Sequence, residues 1–173
     1  MRETAKDRQA AINPATNASG PSAVDLQLVC FLINGQEYGM AASRVQEIMR
    51  PTRFYPTKGN SYGVIGSLHS KDNSCPVIDL RALLGVEAGS FGEATRIVVF
   101  ENRGRQLGLI ADEVTEVLRV DGACMEIIGQ DEQKTGDSFW THQCRLDDRM
   151  IRILDLDKIA PCYDKAPKKG TDK

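Results

Sequence analysis

The chain has 173 residues, enough for one ordinary domain or for two small barrels that share a core. Hydrophobic residues make up 41% of the sequence and charged residues 27%, which is typical of a soluble globular protein. The net charge of −2 offers no basic excess for nucleic acid or an anionic membrane. No apolar run reaches the roughly 18 residues that a membrane-spanning helix needs. We therefore expect no nucleic-acid partner and no membrane insertion.

Both ends of the chain are predicted to be flexible tails. Residues 1–24 are rich in Ala, Asn and Ser and lack the apolar run of a secretory signal, and residues 164–173 have a similar polar composition. The folded domain is therefore predicted over residues 25–163. Without an export signal, the expected compartment is the cytoplasm. In that compartment the five cysteines, odd in number and far apart, are expected to be reduced thiols.

Short strands separated by turns follow in chain order. Residues 26–33 (LQLVCFLI) form an apolar strand, Asn34-Gly35 predicts a tight hairpin turn, and 36–40 return as the second strand. The segments TRIVVFE and RQLGLIA, joined by the turn NRG, predict a second hairpin of the same kind. CPVID and MIRILDL predict further strands, and the helical pieces LRALL and LDKIA follow them with Asp79 and Asp155 as caps. Many short strands with glycine-rich turns favour small β-barrels.

One segment has helical rather than strand-like spacing. Ala41, Val45, Ile48 and Met49 fall on one face of a helix, and Pro51 would end that helix. The sequence therefore predicts a short amphipathic segment after the first hairpin. Its apolar residues have two open interpretations, core packing or contact with a partner.

The chain contains an internal repeat. Residues 28–50 align without a gap to residues 97–119, and eight of the aligned pairs are identical. The identical pairs are Val29/Val98, Phe31/Phe100, Gly35/Gly104, Gly39/Gly108, Ala42/Ala111, Val45/Val114, Glu47/Glu116 and Arg50/Arg119. VIDLRALL at 77–84 also resembles ILDLDKIA at 153–160. This predicts a duplicated fold in which two small barrels share a core and leave a groove between them. The repeated glycine marks a place where backbones approach closely.

The sequence contains none of the common catalytic motifs. Phosphate-binding glycine loops, the CxxC pair, HExxH and the GxSxG elbow are all missing. His69 with Cys75, and His142 with Cys144, could form a tetrahedral zinc site if the fold brought them together, but their spacings are not those of known zinc motifs. We therefore expect no catalytic residue, no cofactor and no metal, and a protein that is not an enzyme.

Five segments in order give a resemblance to a known family. INGQEYGMAASRVQEIM, GVIGSLHS, CPVIDLRALLG, TRIVVFENRGRQLGLIADEVTEVLRV and MIRILDLDKI resemble the CheW-like adaptors of bacterial chemosensory arrays, over nearly all of 26–161. The resemblance implies a mostly β fold of two SH3-like five-stranded barrels with short helices. It also implies a non-enzymatic adaptor that couples chemoreceptors to a CheA-type histidine kinase in membrane-associated receptor arrays. One barrel would dock on the kinase's regulatory domain, and the groove would take the receptor's cytoplasmic tip.

The resemblance also assigns candidate partner-binding residues. The positions that match the groove are Val45, Glu47, Ile48, Val64, Leu68, Val114 and Val117. His69 joins them because it replaces an arginine that the family places beside the glutamate of VQEI. Two alternatives stay open for this position. In one, His69 takes the arginine's role. In the other, His69 points to solvent, and Arg50 or Lys71 takes that role. The departure also leaves open an adaptor for a divergent array, such as one that controls surface motility.

Overall fold

The computed structural model describes residues 25–56, 63–70, 73–128 and 139–164 of the chain. The predicted tail 1–24 lies outside these ranges, as do residues 165–173 at the other end. The limits predicted for the domain and its tails therefore stay predictions.

β-Strands dominate the described residues, as the strand patterns predict. In chain order they are β1 (Leu26–Ile33), β2 (Gln36–Ala41), β3 (Val45–Met49), β4 (Phe54–Pro56), β5 (Val64–Ser70), β6 (Asn73–Ile78), β7 (Arg96–Asn102), β8 (Arg105–Ala111), β9 (Glu113–Val120), β10 (Met125–Ile127), β11 (Trp140–Leu146) and β12 (Arg149–Leu154). Two α-helices, α1 (Leu80–Leu83) and α2 (Leu156–Asp164), follow β6 and β12. Asp79 and Asp155 each accept a backbone N–H bond two residues further on, at 2.9 and 3.0 Å, so the predicted caps are confirmed.

The two predicted hairpins form with matching turns. Asn34 and Gly35 both have positive φ, at 49° and 71°, and Arg103 and Gly104 have φ of 52° and 76°. Two successive residues with positive φ give the turn whose twist suits a two-residue hairpin. The second turn needs a positive φ at its first residue, and Arg103 adopts it although Gly, Asn and Asp do so more readily.

The strands form two six-stranded sheets. Sheet A has the order β10-β11-β12-β2-β1-β9, and sheet B has the order β3-β7-β8-β6-β5-β4. In each sheet the two end strands are neighbours in the chain and a short 3-10 turn joins them, so each ladder must curl towards a barrel. The predicted duplicated fold of two small β-barrel units is confirmed, with a three-residue strand, β4 or β10, as the sixth member of each ladder.

The two copies of the repeat exchange their third strands. β1 and β2 form a hairpin in sheet A, but β3, which follows them, pairs with β7 of sheet B. Conversely, β7 and β8 form a hairpin in sheet B, and β9 pairs with β1 of sheet A. The repeat in the sequence therefore corresponds to a two-fold relation in the fold, and each sheet contains strands from both copies.

The segment predicted as helical is mostly a strand, and that prediction is wrong. Only Ala42–Arg44 forms a 3-10 turn, and Val45–Met49 is β3. The apolar spacing of such a short segment fits either structure, and the open edge of β7 supplies a ladder of backbone hydrogen bonds that a lone helical turn could not match.

Three apolar clusters explain why the central strands are apolar on both faces. The shared cluster lies between the sheets and includes Phe31, Met40, Phe100 and Leu109. A sheet-A cluster fills the inside of sheet A, and a sheet-B cluster fills the inside of sheet B. Residues that alternate along β1 enter different clusters, so the run LQLVCFLI is buried on two sides.

The repeated glycine lies where a parallel strand from the other copy passes. Gly108 pairs with Val77 and Gly39 with Ile153, at equivalent places in the two sheets. A Cβ atom on Gly108 would lie 2.9 Å from a methyl carbon of Ile97 and 3.1 Å from one of Val77. The predicted close approach is therefore real, and it involves the side chains of neighbouring strands.

Candidate functional site

The end strand β9 carries two of the predicted contact residues on one face. Val114 pairs with Phe31 and Val117 with Val29, and both β1 residues belong to the shared cluster. Because directly paired residues lie on the same face of a sheet, Val114 and Val117 continue the face that borders the shared cluster. Val114 packs against the cluster, whereas 62% of Val117 is exposed.

The end strand β3 repeats this arrangement in sheet B. Val45 pairs with Phe100 and Ile48 with Val98, again residues of the shared cluster. Val45 packs against the cluster, whereas 40% of Ile48 is exposed. Both end strands therefore offer an inner valine that belongs to the packing and an outer apolar residue that is accessible. We call Ile48 and Val117 the outer pair.

The two repeated glutamates lie on the opposite face of their strands and differ in their contacts. Glu47 pairs with Val99 and Glu116 with Cys30, residues of the sheet-B and sheet-A clusters. A β-bulge between Val45 and Glu47 produces the change of face in β3. Among the described residues, Glu47 is exposed and no hydrogen bond or ion pair engages its carboxylate.

Glu116, by contrast, belongs to an ionic triad. Arg149 of β12 donates a hydrogen bond of 2.7 Å to Glu116 and two more to Glu37 of β2. These hydrogen bonds raise the pKa of Arg149, and the bonds to Glu37 have a larger effect than the bond to Glu116. The carboxylate of Glu116 is therefore partly neutralised, whereas that of Glu47 is available.

The predicted residues of β5 lie in two different environments. Only 8% of Val64 and 6% of Leu68 is exposed, because Val64 packs in the shared cluster and Leu68 in the sheet-B cluster. His69 is exposed, and its ring contacts the ring of Tyr55 edge-on at a centroid distance of 4.8 Å. Within the described ranges no hydrogen bond or ion pair joins His69 to Glu47, and the His69 ring contacts Tyr55 instead.

The sequence analysis did not identify Tyr55 as the neighbour of His69. Tyr55 pairs with Ser67 across β4 and β5, which places it one diagonal step from His69. Of the alternatives for the arginine's role, the Arg50 side chain forms no hydrogen bond or ion pair in the part of the chain that the structure describes, and Lys71 lies outside it. The role of His69 in partner binding stays a prediction.

A buried ionic cluster anchors the start of β9. The Arg81 side chain is only 5% exposed and donates to Asp79 at 2.9 Å and to Asp112 at 3.0 Å. Asp112 also accepts a 2.6 Å bond from the backbone N–H of Asn34 in the first hairpin turn. We call Asn34, Arg81 and Asp112 the first corner. Since Asp112 is the residue that links β8 to β9, this corner fixes the point where the chain crosses between the sheets.

The equivalent residues form a second corner of different character. The repeat matches Asn34 with Arg103, Asp112 with Ser43 and Arg81 with Asp157. Arg103 and Asp157 form a loose pair at 3.6 Å, with side chains 77% and 59% exposed. The small Ser43 leaves an open polar pocket of about 560 Å³ at this corner. The signal that could have revealed the difference is the exchange of charge between positions 81 and 157.

The cysteines and histidines do not form the metal group that the sequence left open. Within the described ranges, no three His, Cys, Asp or Glu side chains lie close enough to hold a metal ion. Cys144 instead forms a disulfide bond with Cys124, so the expectation of reduced thiols is wrong for these two residues. The pairing of β10 with β11 brings together two cysteines that lie 20 positions apart in the sequence. Cys30 and Cys75 are free and buried.

No helix in the described part of the chain has both the length and the apolar character required to cross a lipid bilayer. The two curled sheets exchange strands, and each carries an accessible apolar residue on an end strand, where a protein partner could make contact.

Comparison with known proteins gives the family. The family model of the CheW-like domain matches residues 27–161. The chain is 26% identical over 136 residues to a chemotaxis protein CheW of Bacillus subtilis (strain 168), covering 77% of this chain and 85% of the relative. It is 24% identical over 135 residues to a chemotaxis protein CheW of Helicobacter pylori (strain ATCC 700392 / 26695), covering 78% of this chain and 81% of the relative.

A solved structure agrees with the sequence comparisons. The crystal structure of a scaffolding protein CheW from Thermoanaerobacter tengcongensis superposes with a TM-score of 0.68 at 25% identity, over 76% of this chain and 85% of that one. The chain belongs to the CheW-like domain family. The resemblance stated from the sequence is confirmed, and with it the function of a chemotaxis coupling scaffold.

Proposed function

We propose that this chain is a non-enzymatic cytoplasmic adaptor that couples the cytoplasmic tip of a methyl-accepting chemoreceptor to the regulatory domain of a CheA-type histidine kinase. It would act in membrane-associated receptor arrays. Membership of the CheW-like family supports this function. The exposed apolar residues on the end strands β3 and β9 support it as well, because a helical partner needs an apolar surface.

The outer pair carries the proposal for the receptor site. Ile48 and Val117 occupy equivalent positions on the two end strands, border the shared cluster and remain exposed. A helical hairpin tip presents apolar residues three or four positions apart and needs an apolar surface of this kind. Burial of such apolar side chains against a partner would contribute to the binding free energy.

The other candidate residues take different roles in this proposal. Glu47 and His69 would supply polar contacts at the edge of the site, because both are exposed. Val45 and Val114 would support the outer pair from below. Val64 and Leu68 would maintain the shape of the surface rather than contact the receptor, because they are buried.

The test is the affinity of a purified receptor-tip fragment for variants that place a charge on the outer pair. We expect Ile48→Asp and Val117→Asp each to weaken binding by about 1–3 kcal/mol, roughly 5- to 150-fold, with a melting temperature within about 2 °C of the wild type. Val45→Asp and Val114→Asp should lose binding and stability together, because their side chains pack on the core.

Ile127→Asp is the matched control, because Ile127 is 79% exposed on β10, a strand that carries neither residue of the outer pair. It should leave receptor affinity unchanged. Full affinity in both outer-pair variants, or an equal loss in Ile127→Asp, would contradict the site.

A second candidate is an adaptor for a divergent array, such as one that controls surface motility. The observation that favours it is the contact between His69 and Tyr55, which gives this surface an aromatic pair where the family usually has an arginine. Capture of partners from the native cell, followed by mass spectrometry, separates the two functions. Recovery of a CheA-type kinase with a chemotaxis receptor supports the first proposal, and recovery of another signalling system supports the second.

A further inference from the structure

The two short end strands β4 and β10 occupy equivalent places but are held by different means. In sheet B, Phe54 of β4 pairs with Leu68, packs against the sheet-B cluster and contacts the ring of Phe91 at 5.5 Å. In sheet A, Met125 of β10 pairs with Cys144, and the preceding residue, Cys124, is bonded to Cys144. One strand is therefore fixed by aromatic packing and the other by a covalent bond.

The surroundings of the bond suit a reversible reaction. Cys144 is fully buried in the sheet-A cluster, and Cys124, at its edge, is only half-buried. Cys30 lies in the same cluster as a free thiol, and burial raises its pKa to about 11. Cys30 thus stays protonated near neutral pH, and no disulfide bond joins it to Cys124 or Cys144.

Strand β10 has few other restraints. It has three residues at the edge of its sheet, and its last residue, Ile127, is 79% exposed. A short edge strand opens more readily than a central one, and a cross-link that closes the loop between Cys124 and Cys144 opposes this opening. In a compartment that keeps thiols reduced, such a bond is not permanent.

We propose that Cys124 and Cys144 form a redox-dependent clasp on β10, closed by oxidation and opened by reduction, while β4 remains docked in both states. The inference is independent of the proposed function. It concerns whether one edge of sheet A is ordered, whichever partner the protein binds.

The oxidant is a small-molecule disulfide. The Cys124 thiol loses its proton and attacks one sulfur of this disulfide; the S–S bond breaks, and one small thiolate leaves and takes up a proton. The Cys144 thiol then loses its proton and attacks the Cys124 sulfur of the mixed disulfide, which expels the second small thiolate. Two protein thiols and one small disulfide thus give one protein disulfide and two small thiols. Two electrons pass to the small disulfide.

The experiment measures hydrogen exchange by mass spectrometry on the full chain, after equilibration with oxidised glutathione or with dithiothreitol. Alkylation and peptide mapping identify the bonded cysteines in the same samples. We expect a Cys124–Cys144 bond only in the oxidised sample and at least tenfold faster exchange of residues 125–127 on reduction. Residues 54 and 55 are the internal control, because Pro56 has no amide hydrogen, and their exchange should be the same in both samples.

Cys124→Ser is the matched variant, since it leaves the buried Cys144 in place. In this variant, exchange of residues 125–127 should be fast under both conditions. Failure of oxidised glutathione to form the bond would overturn the proposal. So would equal exchange of β10 in the two wild-type samples, or slow exchange of β10 in Cys124→Ser.

Discussion

The two corners lie at equivalent places in the repeat, but one holds a buried ion-pair cluster and the other an exposed ion pair. At the first corner, Arg81 is buried between two aspartates and ties α1 to the start of β9. At the second, the matching residues Arg103 and Asp157 are exposed, and a polar pocket lies beside Ser43. The end strands differ in the same way, because Arg149 engages Glu116 whereas Glu47 has an available carboxylate.

This difference shows which features the repeat retains. Turns, parallel pairing at the glycines and apolar faces match in both copies, because the exchanged strands need the same backbone geometry on each side. Polar contacts are less constrained by that geometry: the residues of the two corners differ, and the identical glutamates have different partners. The two halves can therefore form one symmetric framework and still present different surfaces to different partners.

The largest expected effect breaks the first corner. Arg81→Met keeps most of the side-chain volume but leaves Asp79, only 1% exposed, without its ionic partner. Loss of one member of a buried ion pair costs about 3–5 kcal/mol, which urea unfolding would measure. Arg103→Met is the matched control and should cost at most about 1 kcal/mol, since its pair with Asp157 is exposed. Similar losses in the two variants would show that the corners are energetically alike.

A smaller effect is expected at the repeated glutamates. Glu47→Gln should weaken binding of the receptor tip or of the kinase regulatory domain about tenfold, roughly 1.4 kcal/mol, because its carboxylate is available to a partner. Glu116→Gln should change affinity less than about twofold and stability by at most about 1 kcal/mol, since Arg149 already engages Glu116 and the pair is exposed. Titration calorimetry on both variants measures the difference. Equal affinities would mean that partners do not distinguish the two halves.

The smallest effect concerns the free thiols, one inside each sheet. Burial raises the pKa of Cys30 and of Cys75 from 9.0 to about 11. Between pH 9 and 11 the unfolded chain therefore holds fewer protons at these sites than the folded chain, so their contribution to stability is complete below about pH 9 and is lost as the pH rises through 11. At pH 10 the loss is about 1 kcal/mol for each thiol.

Valine replaces each thiol in the matched variants. Val99 occupies the place of Cys30 in the repeat, so Cys30→Val, and likewise Cys75→Val, replaces the thiol with an apolar side chain. Urea unfolding at pH 8 and pH 10 should show a smaller alkaline loss in each variant than in the wild type. An alkaline loss identical in all three proteins would mean that these thiols do not contribute to it.

Much of the fold follows from local sequence. The Asn34-Gly35 turn, the caps at Asp79 and Asp155 and the strand limits depend on residues within a few positions of one another. The repeat and the family resemblance also depend on sequence alone, and both are confirmed. For the candidate site, the sequence left core packing and partner contact open for Val45 and Val114, and the structure packs both side chains against the shared cluster.

Contacts between residues that are far apart in the sequence could not be predicted from local patterns. The segment at 45–49 is a strand because the edge of β7, more than 40 positions away, is open to it. The pairing of β10 with β11 brings Cys124 and Cys144 together, and the pairing of β4 with β5 gives His69 an aromatic neighbour in Tyr55 rather than Glu47. By itself the sequence determined the two hairpins, the two helix caps and the presence of a repeat, because turns, caps and apolar patterns are local. Only the tertiary structure decided which strands pair and which charges meet, because both depend on chain segments that the exchange of strands brings together.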